Sequence, residues 1–314
     1  MKIAVLTAAL LALAAPAARA QEESLEEKKA EKLKSEFLKK ADWLLDFDKA
    51  KDEVRKTGKP MLTLFSRSYA PCPACHALEH GALLTDDFAK FSKDYVLFLH
   101  VTTMIPGEKY GDLLEEKGGT GFPWIVFMDG SGEIIVTHGG PPAVEGFSRT
   151  GEKAREYMSL QTKAEKGDAA AKVDFILLQA TYFRISIADA EKKLKESGPL
   201  TKEQQAAWES AQANVQIRED MRAVRTDEDE AVLGRKYYAR YKEGKAILPT
   251  ADFPLQYFSM RVLEASEAAK DADAYESVLK ILKGKYGQLE QLSLFFAERE
   301  KDLKALRDQA KDKK

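Results

Sequence analysis

The only two cysteines of the chain, Cys72 and Cys75, lie three positions apart in the stretch APCPACH, residues 70–76. A disulfide that stabilises a fold normally joins distant residues and closes a long loop. This pair can close only a small ring, so no long-range crosslink can hold the 314-residue chain together. The fold must depend on apolar cores, and the two thiols indicate chemistry rather than stability.

Three chemistries fit this spacing of cysteines. Cys72 and Cys75 could exchange disulfides, or they could attach a haem covalently with His76 as the third residue of a C-x-x-C-H motif. They could also bind Cu(I) or Zn(II) together with His76 or His80, because soft thiolate ligands suit both metals. The sequence around the motif has to distinguish among these three.

Residues 1–20 have the pattern of a signal peptide. Lys2 precedes an apolar run over residues 3–15, and the small residues Ala18 and Ala20 follow it. The run is too short for a comfortable membrane span. We therefore expect cleavage after Ala20, a periplasmic or secreted protein, and no stable membrane span once the signal peptide is removed.

Charge and length limit the class of protein further. The chain has 49 Lys and Arg residues against 51 Asp and Glu residues, and no basic cluster stands out. Nucleic acid is therefore not an expected partner, because that binding depends on clustered positive charge. The length suits two domains of roughly 150 residues each.

Hydrophobic periodicity divides the chain into a charged helical lead-in at residues 21–41, a mixed region at 42–158 and a helical region at 159–314. The lead-in is expected to be a solvated helix or a flexible segment, because it is mostly Glu, Lys and Ala. In the mixed region, a helical pattern at 43–56 precedes four strand-like runs, the last two of which form a hairpin: residues 61–65, 95–101, 124–128 and 134–137.

Several features of residues 42–158 together resemble the thioredoxin superfamily of C-x-x-C type, especially its exported members. They are Lys59-Pro60 before the first core strand, the Cys72–Cys75 motif opening a helix, and the sequence Gly-Thr-Gly-Phe-Pro at 119–123 before the hairpin. The resemblance implies an α/β thioredoxin-like three-layer domain, here followed by an all-α helical domain. It also implies a thiol-disulfide oxidoreductase with a redox-active centre, no cofactor, and protein disulfides or dithiols as substrates.

The resemblance assigns roles to four residues. Cys72 is the nucleophile, and a position at a helix N-terminus would favour its thiolate. Cys75, one turn further on, is the resolving thiol. Phe122 and Pro123 are expected to shape the substrate groove, with a cis bond between them.

Two departures from the family pattern affect this site. Pro71 replaces the usual tryptophan, and Ser66 replaces a buried acid, which leaves Cys75 without its usual proton shuttle. Glu79, one helical turn after Cys75, could take over the proton transfer. Its position on the predicted helix nevertheless favours the interpretation that it is an exposed glutamate. His76 is expected on the helix surface, where it could modulate the thiolate, and two other histidines are expected in the core or at its rim: His100 and His138.

Two further readings concern binding rather than catalysis. The fold could be a redox-inactive protein-binding module, although such modules commonly lose one cysteine of the pair. In the helical half, six aromatic residues either line a protein-binding groove or fill the space between helices: Tyr237, Tyr238, Tyr241, Phe253, Tyr257 and Phe258.

Overall fold

A computed structural model describes residues 23–311, so the predicted signal peptide at residues 1–20 lies outside the described residues. The described chain contains one mixed sheet of five strands in the order β1-β3-β2-β4-β5. Strands β1, β3 and β2 are parallel, whereas β4 is antiparallel to both β2 and β5. Their bounds are β1 Trp43–Leu44, β2 Met61–Arg67, β3 Val96–Thr102, β4 Trp124–Met128 and β5 Ile134–Thr137.

Helices pack on both faces of this sheet and make up most of the rest of the described chain. In the first half they are α1 Leu25–Lys32, α2 Phe37–Lys40, α3 Phe47–Thr57, α4 Pro73–His80, α5 Asp86–Phe91, α6 Leu113–Glu116 and α7 Val144–Glu165. In the second half they are α8 Ala169–Thr181, α9 Ile187–Ser197, α10 Lys202–Ala223, α11 Asp227–Lys242, α12 Asp252–Ala268, α13 Ala272–Tyr286 and α14 Ser293–Lys311. Short 3-10 helices cover Ala82–Leu84, Ser92–Asp94 and Glu290–Leu292.

The sheet carries a separate apolar core on each face, because alternate residues of a strand point to opposite sides. On one face, β2 contributes Leu62 and Leu64, which pack with buried residues of α2, α4, α5 and α7. On the other face, Met61 and Phe65 pack with buried residues of α3 and α6. The expected three-layer α/β arrangement is therefore confirmed, and so is the all-helical part that follows it.

The strands predicted from periodicity agree with the structure within two residues at each end, and the hairpin agrees at all four bounds. The helical pattern predicted at 43–56 is wrong at its start. Trp43 and Leu44 form the edge strand β1, paired with Leu97 and Phe98 of β3, and the helix begins at Phe47. A two-residue strand has too few residues to show an alternating pattern.

The lead-in is helical, as predicted, but the expectation that it is solvated is wrong for Phe37. This ring is 1% exposed and lies in the same core as Leu62 and Leu64. It meets the Trp43 ring edge to face, with 5.6 Å between the ring centroids. The lead-in is thus anchored to the sheet by an aromatic side chain.

Helix α7 joins the two halves of the chain. It runs without a break across residue 158, where the sequence analysis places a boundary, and the chain first turns at Lys166–Asp168. Tyr157 of α7 packs against Phe175 of α8, and Lys153 of α7 is ion-paired with Asp252 of α12 at 2.6 Å. The division into domains at 158 stays a prediction.

The helical half has two cores, one among α8, α9 and α10 and one among α10 to α14. The space-filling alternative holds for most of the six aromatic residues. Tyr237 and Phe258 are buried, and the hydroxyls of Tyr237 and Tyr238 donate to Asp220 and Asp271. Phe253 differs from them, because 60% of its surface is exposed. None of the helices in the described part of the chain combines the length and apolar character needed to cross a membrane.

The burial of Phe37 generates a stability prediction. Phe37→Ala removes a ring that is 1% exposed, and we expect it to lower the free energy of unfolding by about 3 to 5 kcal/mol. Denaturant unfolding followed by circular dichroism measures this difference. Phe253→Ala is the matched control, with an expected change within about 0.5 kcal/mol because that ring is largely in water. Equal stabilities of the two variants would contradict the anchoring role of Phe37.

Candidate active site

Cys72 lies where the chain passes from β2 into α4. It occupies the position immediately before the first helical residue, Pro73, and its Sγ accepts a hydrogen bond from the backbone N–H of Cys75 at 3.2 Å. Proline suits the first position of a helix because it lacks an N–H that would have no helical partner there. The Cys72 sulfur therefore faces the positive end of the α4 dipole, as the sequence predicts.

Cys72 and Cys75 form a disulfide with 5.2 Å between their Cα atoms. The two sulfurs differ in accessibility, because Cys72 is half-buried whereas Cys75 is 1% exposed. An attacking or departing partner can therefore reach Cys72 more readily than Cys75. This asymmetry matches the predicted roles of nucleophile and resolving thiol, which stay predictions here.

Glu79 lies one helical turn after Cys75 on the buried side of α4, and it is 4% exposed. The preferred sequence interpretation, an exposed helical glutamate, is wrong. The Glu79 carboxylate accepts hydrogen bonds from Lys32 Nζ at 2.5 Å and 2.6 Å, one to each oxygen. It also accepts one from Ser66 Oγ at 2.8 Å.

This arrangement amends the expectation that Cys75 lacks an acidic neighbour. Ser66 stands where the family often has a buried acid, and its hydroxyl contacts a carboxylate supplied by α4 instead. Cys75 and Glu79 are four residues apart on the same helix, a spacing that brings side chains about 5–6 Å apart at Cβ. A buried carboxylate is therefore retained at the site, but it comes from a different element.

The Phe122–Pro123 bond is cis, as the resemblance implies. The register pairs Phe65 of β2 with Trp124 of β4, so Pro123 lies at the same edge of the sheet as the end of β2. Gly119 makes the approach of this loop possible, because a Cβ there would lie 2.3 Å from Leu114 Cδ1 and 2.6 Å from Trp124 Cε3.

Arg67 connects the cysteine loop with the proline loop. Its guanidinium donates a hydrogen bond to the carbonyl of Pro71 and lies 5.5 Å and 5.8 Å from the ring centroids of Tyr69 and Phe122. Cation–π contacts of this kind are worth about 0.5 to 1 kcal/mol at exposed sites. The sequence analysis missed Arg67, although its position directly after the buried part of β2 places it at the active edge.

His76 and His80 lie on the exposed side of α4 with their rings stacked at 3.8 Å between centroids. His76 is therefore a surface residue, as predicted. A covalent haem needs both cysteine sulfurs for its attachment and the histidine as an axial ligand. Here the sulfurs bond each other, Cys75 is buried, and His76 stacks on His80, so these residues do not fit that group.

The metal-binding alternative finds no support in the described residues either. Across residues 23–311, no group of three or more His, Cys, Asp or Glu side chains is arranged to hold a metal ion. His100 and His138 occupy separate structural positions. His100 bonds the Tyr110 carbonyl, His138 bonds the Pro141 carbonyl and Thr150 Oγ1, and burial lowers the pKa of both imidazoles.

The geometry of this region agrees with a comparison of the sequence against known families. Residues 47–155 match the family model of the thioredoxin-like domain. This part of the chain is a thioredoxin-like domain. No curated protein shows significant sequence similarity to the chain. Helix α1 precedes the matched residues, yet its Lys32 reaches Glu79 inside the thioredoxin-like domain.

Lys32 is the second site residue that sequence reasoning missed. It lies in a segment of alternating Glu and Lys residues, 47 positions before its partner Glu79. Nothing in that segment distinguishes Lys32 from the lysines beside it, because their different environments arise only when α1 docks. The sequence does carry a signal for Glu79 alone, because its spacing from Cys75 and Leu78 places it on the buried side of α4.

The difference in exposure of the two sulfurs predicts a difference in reactivity. After reduction of the native chain, iodoacetamide should alkylate Cys72 faster than Cys75 by on the order of tenfold or more, because thiolate fraction and access both favour Cys72. Peptide mapping by mass spectrometry measures the ratio. Cys72→Ser and Cys75→Ser give each rate separately, and faster alkylation of Cys75 would contradict the assignment.

Proposed function

We propose that this chain is a thiol-disulfide oxidoreductase that acts on disulfides or dithiols of exported proteins. One observation carries the proposal: a cysteine pair at the N-terminus of α4, joined in a disulfide, within a thioredoxin-like domain. The helix dipole favours the thiolate of Cys72 in the reduced form, and the thiolate is the species that attacks a disulfide.

The reaction consists of two exchanges. The Cys72 thiolate attacks one sulfur of a substrate disulfide, forms a mixed disulfide and releases the other substrate sulfur as a thiolate. The Cys75 thiolate then attacks Cys72 Sγ, which forms the Cys72–Cys75 disulfide and releases the second substrate thiolate. Two electrons pass from the protein to the substrate, and a separate dithiol must return them for a further cycle. The reverse sequence oxidises a substrate dithiol.

The second exchange requires Cys75 to lose its proton in a buried position. Glu79 is the nearest carboxylate on the same helix face, one turn away, and can accept that proton directly or through one water. The proton then passes to the departing substrate thiolate or to solvent. Glu79 therefore acts as the proton acceptor in this proposal, whereas the His76 side chain is exposed to solvent.

The substrate groove is proposed to lie beside the Phe122–Pro123 bond. The backbone there borders the cysteine loop, which Arg67 ties to the Phe122 ring. An extended peptide could pair with the Phe122 backbone while its sulfur meets Cys72. Such main-chain pairing accepts many sequences, which suits an enzyme that acts on several proteins.

The proposed roles of Cys72 as nucleophile and Cys75 as resolving thiol are tested by single substitutions in an insulin-reduction assay. Cys72→Ser should abolish turnover, because no other thiol can begin the reaction. Cys75→Ser should instead accumulate a mixed disulfide on Cys72, visible as a mass increase that a reductant removes. Full turnover by Cys72→Ser would show that the proposed nucleophile is wrong.

We extend the proposal to location: the protein is exported and acts in the periplasm or outside the cell. The pattern of residues 1–20 supports this. Protein recovered from the exported fraction should begin at Gln21, which intact-mass and N-terminal peptide measurements determine. Full-length chain retained in the cytoplasmic fraction would contradict this.

A further inference from the structure

Helix α1 docks on the thioredoxin-like domain although the domain match begins 22 residues after its first residue, Leu25. Its N-terminus is secured by a capping box, in which Ser24 and Glu27 exchange hydrogen bonds at 2.9 Å and 3.2 Å. Within the described chain, α1 contributes no fully buried side chain to any core. Hydrophobic burial therefore does not explain its position.

Two lysines of α1 supply the contacts instead. Lys29 pairs with Glu108, and Lys32, three residues later on the same side of the helix, pairs with Glu79. Glu108 follows β3 and Ser66 is near the end of β2, where the register aligns Ser66 with Val101. Helix α1 therefore spans the edge of the sheet from which the redox loop emerges.

The Lys32–Glu79 pair is the more enclosed of the two. The Lys32 side chain is 13% exposed and Glu79 is 4% exposed, whereas Lys29 is 37% exposed. The Glu79 carboxylate accepts hydrogen bonds from Lys32 of α1 and Ser66 of β2, while Cys75 shares its helix face. The adjoining 3-10 helix, Ala82–Leu84, carries no titratable side chain.

We infer that Lys32 is a positioning residue of the redox site: its ammonium, which donates to both Glu79 carboxylate oxygens, holds that carboxylate on the α4 face that carries Cys75. The inference rests on the proposed exchange reaction, in which Glu79 accepts the proton of Cys75. Without Lys32 the carboxylate keeps only its bond from Ser66 and loses its fixed orientation, and a base acts only within hydrogen-bond reach of the proton that it accepts. Helix α1 thus controls the second exchange and leaves the first one alone.

The two exchanges are separated by reaction of the reduced protein with the disulfide of thionitrobenzoate. Attack by Cys72 on the reagent releases one coloured thiolate, and the rate of this first phase depends on the reagent concentration. Attack by Cys75 on the mixed disulfide releases the second coloured thiolate, and because this step is intramolecular its rate is independent of the reagent concentration. Stopped-flow measurement of both phases at one pH reports the proposed function in the first phase and the role of Lys32 in the second.

In Lys32→Met, the second phase should slow by on the order of tenfold or more, because Glu79 loses the contacts that hold it on the Cys75 face of α4. The first phase should keep its rate. Lys32→Arg should restore the native rate of the second phase, since a guanidinium can also donate to both carboxylate oxygens. In a Glu79→Gln background, Lys32→Met should cause no further slowing.

Lys29→Met is the matched control, because it removes the other ion pair of α1 without touching Glu79. Its second phase should have the rate of the native protein. An unchanged second phase in Lys32→Met, or equal slowing in Lys29→Met, would overturn the inference even if both phases occur. Absence of the first phase in the native protein would instead refute the proposed function.

Discussion

The burial of one carboxylate constrains how the redox region is assembled. Glu79 lies beneath α4 with 4% exposure, and an isolated charge in such a place is strongly unfavourable. The structure compensates with Lys32 on both carboxylate oxygens and the Ser66 hydroxyl on one. Three elements that are distant in sequence, α1, β2 and α4, are consequently tied at one point. Removing any one of them leaves a buried polar group without its partner.

The sheet determines why the chemistry lies at this edge. Parallel pairing of β2 with β3 aligns Phe65 with His100, and antiparallel pairing with β4 aligns Phe65 with Trp124. The chain leaves β2 toward Cys72 at the same edge where it enters β4 through Pro123. Apolar layers on both faces hold these strands in register, so the cysteine and proline loops emerge at the same edge of the sheet.

The sequence predicts those parts of the structure that local patterns encode. Alternating and continuous apolar runs identify β2, β3 and the hairpin, and the C-x-x-C motif locates the start of α4. The edge strand β1 is too short for such a pattern, and the burial of Phe37 and Glu79 depends on which elements pack above them. Lys32 illustrates the limit: one lysine among many becomes part of the site only through a contact 47 residues away. An ion pair between residues far apart in the chain leaves no periodic pattern in the sequence, so it cannot be predicted from periodicity.

The helical half is connected to the redox domain through α7, and this bears on how the halves can work together. Tyr157 and Phe147 of α7 lie in the sheet core, while Phe175 of α8 packs against that same core. A helix shared by two packed regions transmits displacement more directly than a flexible linker, because close-packed interiors yield little. Within the helical half, the hydroxyls of Tyr237 and Tyr238 donate to Asp220 and Asp271, which ties α11 to α10 and to the start of α13. The Lys153–Asp252 ion pair adds a second link between α7 and this half, so the two halves are joined by a charge pair as well as by packing along the continuous helix.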